Sequence, residues 1–414
     1  MSVESVTSGV VNRRSDEGEA GIGQATQLLG GDSVIEERIL EPGKGIRRTM
    51  NGKSRILFTS SDYLGLAGSD VLRDAAASAV EAFGCSSSTG PAGTGLTTFH
   101  KGLSGVLSGI LRKDSSALFS SGFQANISLL PTIAGDKDVV VGDQYNHPSL
   151  RVGAKLSGAK ILTYKHCDVN DLERLLSEVR HVEGRIVIAS VGLFPSTSLF
   201  APLPEIVAIA KKAGAMVVVD DGHGFGVFGN TGAGCAEAMG VLDDVHFVTA
   251  SLSKAIGSEG GFAAGPESLI SAIGKSAIAY RASSVVSPLS VGISLASVRA
   301  MTAMADARKG LMEKAAFFRK ELKSLGYSIL GANTPIVPVF VGDAQTTVDL
   351  TNYLFDGGVV VQPYFPPFVA EGTERLRLIV TAMHDEGALS DALSVFRKAM
   401  AQFGHRLGKP KPIV

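Results

Sequence analysis

Apolar, β-branched runs alternate with stretches of helical periodicity along most of this chain, and their order predicts an architecture. VVVGDQ at 139–144, KILTY at 160–164, RIVIAS at 185–190, AMVVVD ending at Asp220 and a run from Val245 to Ala250 have the length and composition of buried strands. Helical patterns start near Ser149, cover 171–179 and run from Pro204 to Ala213. This alternation predicts an α/β fold, a mostly parallel sheet with helices on both faces. Upstream, DVLRDAAASAVEAFG reads as a helix stopped at Gly84, and 118–126 as a strand passing into a helix through Ser120, Ser121 and Gly122. A helical region from Pro266 to Ala307, broken at Ser287 and Pro288, leads out of the large unit. Two helices and the runs VPVFVG (337–342), VVVQPY (359–364) and RLRLIVTA (375–382) then predict a smaller C-terminal α+β domain. The expected division is 1–56 as N-terminal extension and small segment, 57–307 as the large domain and 308–414 as the C-terminal domain. Within the first piece, 1–31 lacks periodicity and predicts a mobile extension, while 32–50 is weakly helical.

Composition narrows the class. Of 414 residues, 45% are hydrophobic and 19% charged, enough apolar content for a large core. The formal charge of -1 and the lack of a Lys/Arg block argue against a nucleic-acid partner. Three cysteines, Cys85, Cys167 and Cys235, stand far apart without metal-site spacing, which predicts a reducing, cytoplasmic setting and no metal. No apolar run approaches the roughly 18 residues of a membrane span.

Candidate chemistry gathers at two strand ends. AMVVVDDGHGFGVFG delivers Asp220, Asp221 and His223, and VTASLSKAIGSEGG delivers Ser251, Ser253 and Lys254, all at carboxyl ends, where open α/β sheets bind ligands. A lysine paired with an aspartate is what pyridoxal phosphate requires: the amine forms a Schiff base, and the carboxylate keeps the pyridine nitrogen protonated. Ser121 and Gly122 open a helix whose N-terminus suits a phosphate, although a plain Ser N-cap reads the same way. His147 follows another strand end in DQYNHPSL. Arg375 and Arg377 leave one face of a strand, where one could grip a carboxylate and the other is expected to be solvated.

With these residues assembled, the chain resembles the α-oxoamine synthases, pyridoxal-phosphate enzymes of fold type I, from about Leu57 to Phe403. The markers are SSDYLGLA, the glycine loop before His100, SSGFQAN, DQYNHPSL, YKHCD, VVVDDGHGFGVFG, SLSKAIG and RLRLIVTAMHDE. The resemblance implies pyridoxal 5'-phosphate as cofactor, with Lys254 as its lysine, Asp220 at the pyridinium nitrogen, His223 at the ring oxygen and His147 against the ring face. It implies phosphate contacts from Ser121, Gly122, Phe123 and Ser251, and from Ser283 and Ser284 of the neighbouring subunit in a homodimer with the site at its interface. Arg377, with Ser61, would bind the substrate carboxylate. The implied reaction joins an amino acid to an acyl-CoA or acyl-carrier thioester, giving an α-amino ketone, CO2 and the free thiol.

Three departures from the family pattern bear on the substrate. Ser61 stands where the family has Asn, Ala92 replaces a loop arginine, and VGLFPSTSL at 191–199 lacks the usual acids and puts Pro195 in place of a cofactor-contacting serine, with Ser196 as a neighbouring substitute. They suggest a specialised acyl condensation in lipid, signal or secondary metabolism. They also leave open transamination or aldol cleavage on the same scaffold, and a catalytically silent partner subunit.

Overall fold

A computed structural model describes residues 38–410; the extension expected over 1–31 lies outside them. The helical pattern expected over 32–50 is not a helix where it is described. Strands β1 (Arg47–Met50) and β2 (Lys53–Leu57) form an antiparallel hairpin. Its two-residue turn is Asn51-Gly52, both at positive φ (50° and 69°), the turn chemistry that matches strand twist and overrides a weak helical period.

The large unit is built on a seven-stranded sheet. In chain order its strands are β3 (Ser115–Phe119), β4 (Val139–Asp143), β5 (Lys160–Tyr164) and β6 (Ile186–Val191). A small hairpin follows, β7 (Leu193–Phe194) with β8 (Leu199–Phe200), and then β9 (Met216–Asp220), β10 (Phe247–Ser251) and β11 (Gly261–Gly265). The spatial order is β3-β11-β10-β9-β6-β4-β5, with every pair parallel except those made by β11. The α/β class is as expected from the pattern. Strand β11, GFAAG, was not expected, because glycine and alanine carry little strand propensity. It is fully buried, and a Cβ on Gly261 would collide with the backbone of Gly122, so small residues let the helix Gly122–Ile133 close on the sheet.

The C-terminal part has a three-stranded sheet in the order β12 (Ile336–Phe340), β15 (Arg375–Ile379), β14 (Gln362–Tyr364), with β13 (Val359–Val360) placed elsewhere. VVVQPY was expected to be one strand and is two: β13 pairs with β2, and after Val361 β14 turns to pair with β15. Residues from the two ends of the chain therefore share a sheet. The helix Ala344–Asp356 packs against β13 and β14 and Ala305–Ser324 against β12 and the helix Glu386–Phe403, and Phe318 and Phe396 of the last two lie in the same core as the large sheet.

Candidate active site

Asp220 closes β9, and the register sets it beside Thr249 of β10 and Val191 of β6, in the middle of the parallel strands. A cavity of about 250 Å3 opens at these carboxyl ends. Its walls include Ser121, Gly122, Phe123, His147, Asp220, His223, Ser251 and Lys254, residues drawn from four separate segments of sequence. Gly222 measures the distance between amine and carboxylate: a Cβ there would lie 3.0 Å from Lys254 Nζ and 3.3 Å from Asp220 Oδ1. The two groups thus lie no farther apart than the sum of those lengths, on one side of the molecule.

Several bonds hold Asp220 in place. Asn126 Nδ2 donates to Asp220 Oδ2 at 2.7 Å and to Ser149 Oγ at 2.9 Å, while Thr249 Oγ1 donates to Asn126 Oδ1 at 2.6 Å. Asp220 Oδ1 accepts the Gly222 N–H at 3.2 Å. His147 caps the helix Pro148–Ser157, with its Nδ1 2.6 Å from Ser149 Oγ, so one chain of hydrogen bonds runs from His147 through Ser149 and Asn126 to Asp220. The Tyr63 hydroxyl lies 2.8 Å from His223 Nδ1.

Burial sets the ionisation of these groups. It pushes the Lys254 amine below its ordinary value, against the pull of Asp220 and with a push from Arg377. The imidazole of His223 falls well below its usual range through burial, then through Lys254, Arg377 and His147. His147 is lowered by burial, with Asp220 opposing. The neighbouring acid has another task. Asp221, 1% exposed, accepts the Cys235 N–H at 2.6 Å, and burial raises its carboxyl to about 6. Side chains on Gly192, Gly224 or Gly234 would strike it, so it pins the loop carrying His223 rather than facing ligand.

The helix Gly122–Ile133 also starts at the cavity. Ser121 caps it by accepting the Gln124 N–H at 3.1 Å, and the positive end of the helix dipole suits a phosphate. The remaining candidates lie outside the walls. Ser61 precedes Tyr63 in the loop after β2, and Ser283 and Ser284 follow the short helix Ile278–Arg281. Arg377 donates to Gln362 Oε1 and lies 5.1 Å from the ring centroid of Tyr364. Its charge still reaches Lys254 and His223. Arg375, on the face it shares with the half-buried Arg377, is buried rather than solvated: it donates to Thr373 O at 2.9 Å and Ser196 O at 3.0 Å.

That last bond belongs to an anchor absent from the sequence reading. Val191, Leu193 and Pro195 present one apolar face of the extended segment to the cavity; Ser196 does not line it. The turn beyond is held at three consecutive residues. Arg375 takes Ser196 O, His166 Nε2 lies 3.2 Å from Thr197 Oγ1, and Arg319 Nη2 donates to Ser198 Oγ at 2.8 Å. His166 is in turn fixed by Asp143 at 2.9 Å, and Ser198 keeps a left-handed φ of 57°. Asn126, Ser149, Thr249 and Tyr63 were also missed. The available clue was an amide, Asn126, on the apolar face of a helix whose Ala125, Leu129, Leu130 and Ile133 are buried.

A lysine and an aspartate in one cavity that a helix N-terminus also lines suit pyridoxal phosphate and define a fold-type I enzyme of that cofactor. Comparison with known proteins agrees. The sequence model of the family described as aminotransferase class I and II matches residues 53–396. The 8-amino-7-oxononanoate synthase 2 of Bacillus subtilis (strain 168) is 34% identical over 396 residues, 96% of either chain. The 8-amino-7-oxononanoate synthase of Geobacter sulfurreducens is 36% identical over 377 residues, 90% of this chain and 94% of its own. Among solved structures, a serine palmitoyltransferase with pyridoxal phosphate superposes with a TM-score of 0.89 at 27% identity, over 93% of this chain and 98% of that one. The Sphingomonas wittichii serine palmitoyltransferase gives 0.89 at 26% identity, over 94% and 98%. The chain belongs to the aminotransferase class I and II family and, within it, to the α-oxoamine synthases, pyridoxal-phosphate-dependent acyltransferases.

Proposed function

We propose that Lys254, Asp220, His223 and His147 carry out the decarboxylative condensation of an amino acid with an acyl thioester, giving an α-amino ketone, CO2 and the free thiol. The observation that carries this is the joint placement of Lys254 and Asp220 across Gly222 in a single cavity. Bound there, pyridoxal phosphate supplies a carbonyl for the amino nitrogen and a protonated ring that draws electrons from the substrate α-carbon. Asp220, oriented by Asn126, keeps the ring nitrogen protonated. Lys254, its pKa lowered by burial, is ready to take the α-proton and return it. Burial holds the His223 pKa well below its usual range; with its Nδ1 engaged by the Tyr63 hydroxyl, its Nε2 would face the ring oxygen. His147 would cover the face of the ring, and the N–H groups of Gly122 and Phe123, with the hydroxyls of Ser121 and Ser251, would hold the phosphate.

Arg377 grips the amino-acid carboxylate, with Ser61 as a weaker partner. Val191, Leu193 and Pro195 offer no charged partner to a side chain, which favours a small or apolar amino acid. Ser283 and Ser284 complete the phosphate site of a second subunit in a homodimer. Support comes from the exposed Ile278 (80%) and Leu96 (54%) around the bond from Val285 N to Thr89 O. Residues 57–307 form the cofactor domain and 308–414 the C-terminal domain. No single helix among the described residues is long and apolar enough to cross a membrane, and the three free cysteines fit a cytoplasmic enzyme.

The test is a spectral titration of the holoenzyme with the common amino acids, followed by acyl thioester. Thiol and CO2 should appear only when both substrates are present, and Lys254→Ala should abolish both the lysine-linked visible absorbance and turnover. Exchange of the amino group onto a keto acid, with no thiol released, would overturn the reading.

A further inference from the structure

His147 is both a wall of the active-site cavity and the N-cap of the helix Pro148–Ser157. Proline at the first helical position has no N–H, so the first donor this helix must satisfy is the backbone N–H of Ser149. It goes to His147 Nδ1 at 3.3 Å, and Ser149 Oγ lies 2.6 Å from the same nitrogen. A backbone N–H can only donate, so Nδ1 accepts and carries no proton. In a neutral imidazole the proton then sits on Nε2, which makes no hydrogen bond with the described residues. We propose that Ser149 is a positioning residue that holds His147 as the neutral Nε2–H tautomer, so that the imidazole meets its ligand as a hydrogen-bond donor and not as a base. The inference deepens the reaction proposed above and rests on it only for what that donor serves.

The groups behind Ser149 fix the sense of its hydroxyl. Asn126 Nδ2, turned by the Asp220 carboxylate, donates to Ser149 Oγ at 2.9 Å, and Thr249 Oγ1 donates to Asn126 Oδ1. With its oxygen already accepting, the Ser149 hydroxyl has its own proton left for His147 Nδ1. Donors therefore run one way, from Thr249 through Asn126 and Ser149 to His147. An imidazolium would set an Nδ1–H against the Ser149 N–H, at the positive end of a helix dipole. Of the charges that face the ring, Asp220 on β9 favours the imidazolium, whereas burial and Lys254 beyond β10 oppose it. His223 feels the charge of His147 and is itself held below its usual range. The Phe123 ring, edge-on with its centroid 6.3 Å away, adds no charge. A donor at Nε2 cannot take a proton from the substrate α-carbon, which leaves that task to Lys254.

The test is 15N magnetic resonance of the histidine-labelled chain, with and without pyridoxal phosphate, the His147 signals being identified by their loss in His147→Gln. Near pH 7 the wild type should show a bare Nδ1 and a protonated Nε2 in both states. Ser149→Ala removes the hydroxyl and keeps the backbone N–H. It should give a mixture of the two tautomers and raise the His147 pKa by about one unit, the worth of one hydrogen bond to the neutral ring. A protonated Nδ1 in the wild type, or a tautomer and pKa untouched by Ser149→Ala, would overturn the assignment. Failure of the wild type to release thiol from any acyl thioester, with the Nε2–H tautomer in place, would instead remove the reaction and leave the role of Ser149 standing.

Discussion

Asn126 shows how much of this site depends on residues that do no chemistry. Its amide donates to both Asp220 and Ser149 and accepts from Thr249, which leaves one arrangement of its oxygen and nitrogen. Asp220 can hold a ring nitrogen only while its carboxylate is kept at the right angle, and a short acid at a strand end has rotational freedom of its own. Asn126→Leu keeps the volume and removes the bonds. It should cost about 1–3 kcal/mol of stability, because Thr249 and Asp220 lose buried partners, and weaken cofactor binding at least tenfold. Urea midpoints of the apoenzyme and a cofactor titration followed by visible absorbance would measure the two effects separately. An unchanged cofactor Kd would show that Asp220 needs no such support.

Among the elements, the helix Gly122–Ile133 carries the most consequence, since it presents its first turn to the cavity and its face to β10 and β11. Its position depends on the lack of a side chain at Gly122. A Cβ there would lie 3.0 Å from Ser251 N and 3.1 Å from Ser251 Cα, inside normal contact. Gly122→Ala should therefore lift the helix start away from the strand end that also bears Ser251 and leads to Lys254. Overpacking of this kind costs about 1–3 kcal/mol. The expected outcome is a larger Kd for pyridoxal phosphate and for inorganic phosphate, measured calorimetrically, with helix content by circular dichroism unchanged. The turn 196–198 works similarly, as bonds from Arg375 and Arg319 of the C-terminal part and from His166 of the large unit fix the segment that leads from the apolar cavity wall.

Across the whole molecule, histidines held below their ordinary pKa make the fold sensitive to acid, and His384 is fully buried. His147, His223 and His384 all titrate below the ordinary histidine value, principally through loss of hydration, and His384, packed against Phe58, falls to about 4. Below pH 6.5 the unfolded chain takes up protons that the folded chain refuses, so stability falls as pH drops through that value and stops falling for each group at its folded pKa. For His384 alone the loss between pH 7 and pH 5 is about 2 kcal/mol. His384→Asn should flatten the acid limb of a plot of denaturation free energy against pH by about that amount. An identical slope in the variant would remove His384 as a source of the effect.

Much of this was legible in the residues. The β-branched runs, the polar residues at their ends and the order of SLSKAIG after VVVDDGHGFG were enough for the α/β class, the cofactor and the pairing of Lys254 with Asp220, because strand periodicity and turn chemistry are local properties. Packing decided what local preference could not. Strand β11 takes a glycine at 261 because no side chain fits there beneath the helix starting at Gly122. VVVQPY divides between two sheets because β2 and β15 both require partners there. Arg375 is buried because the backbone of a distant turn offers it carbonyls. Burial, which sets the ionisation of Lys254 and His223, is a property of the assembled core and is carried by no single stretch of sequence.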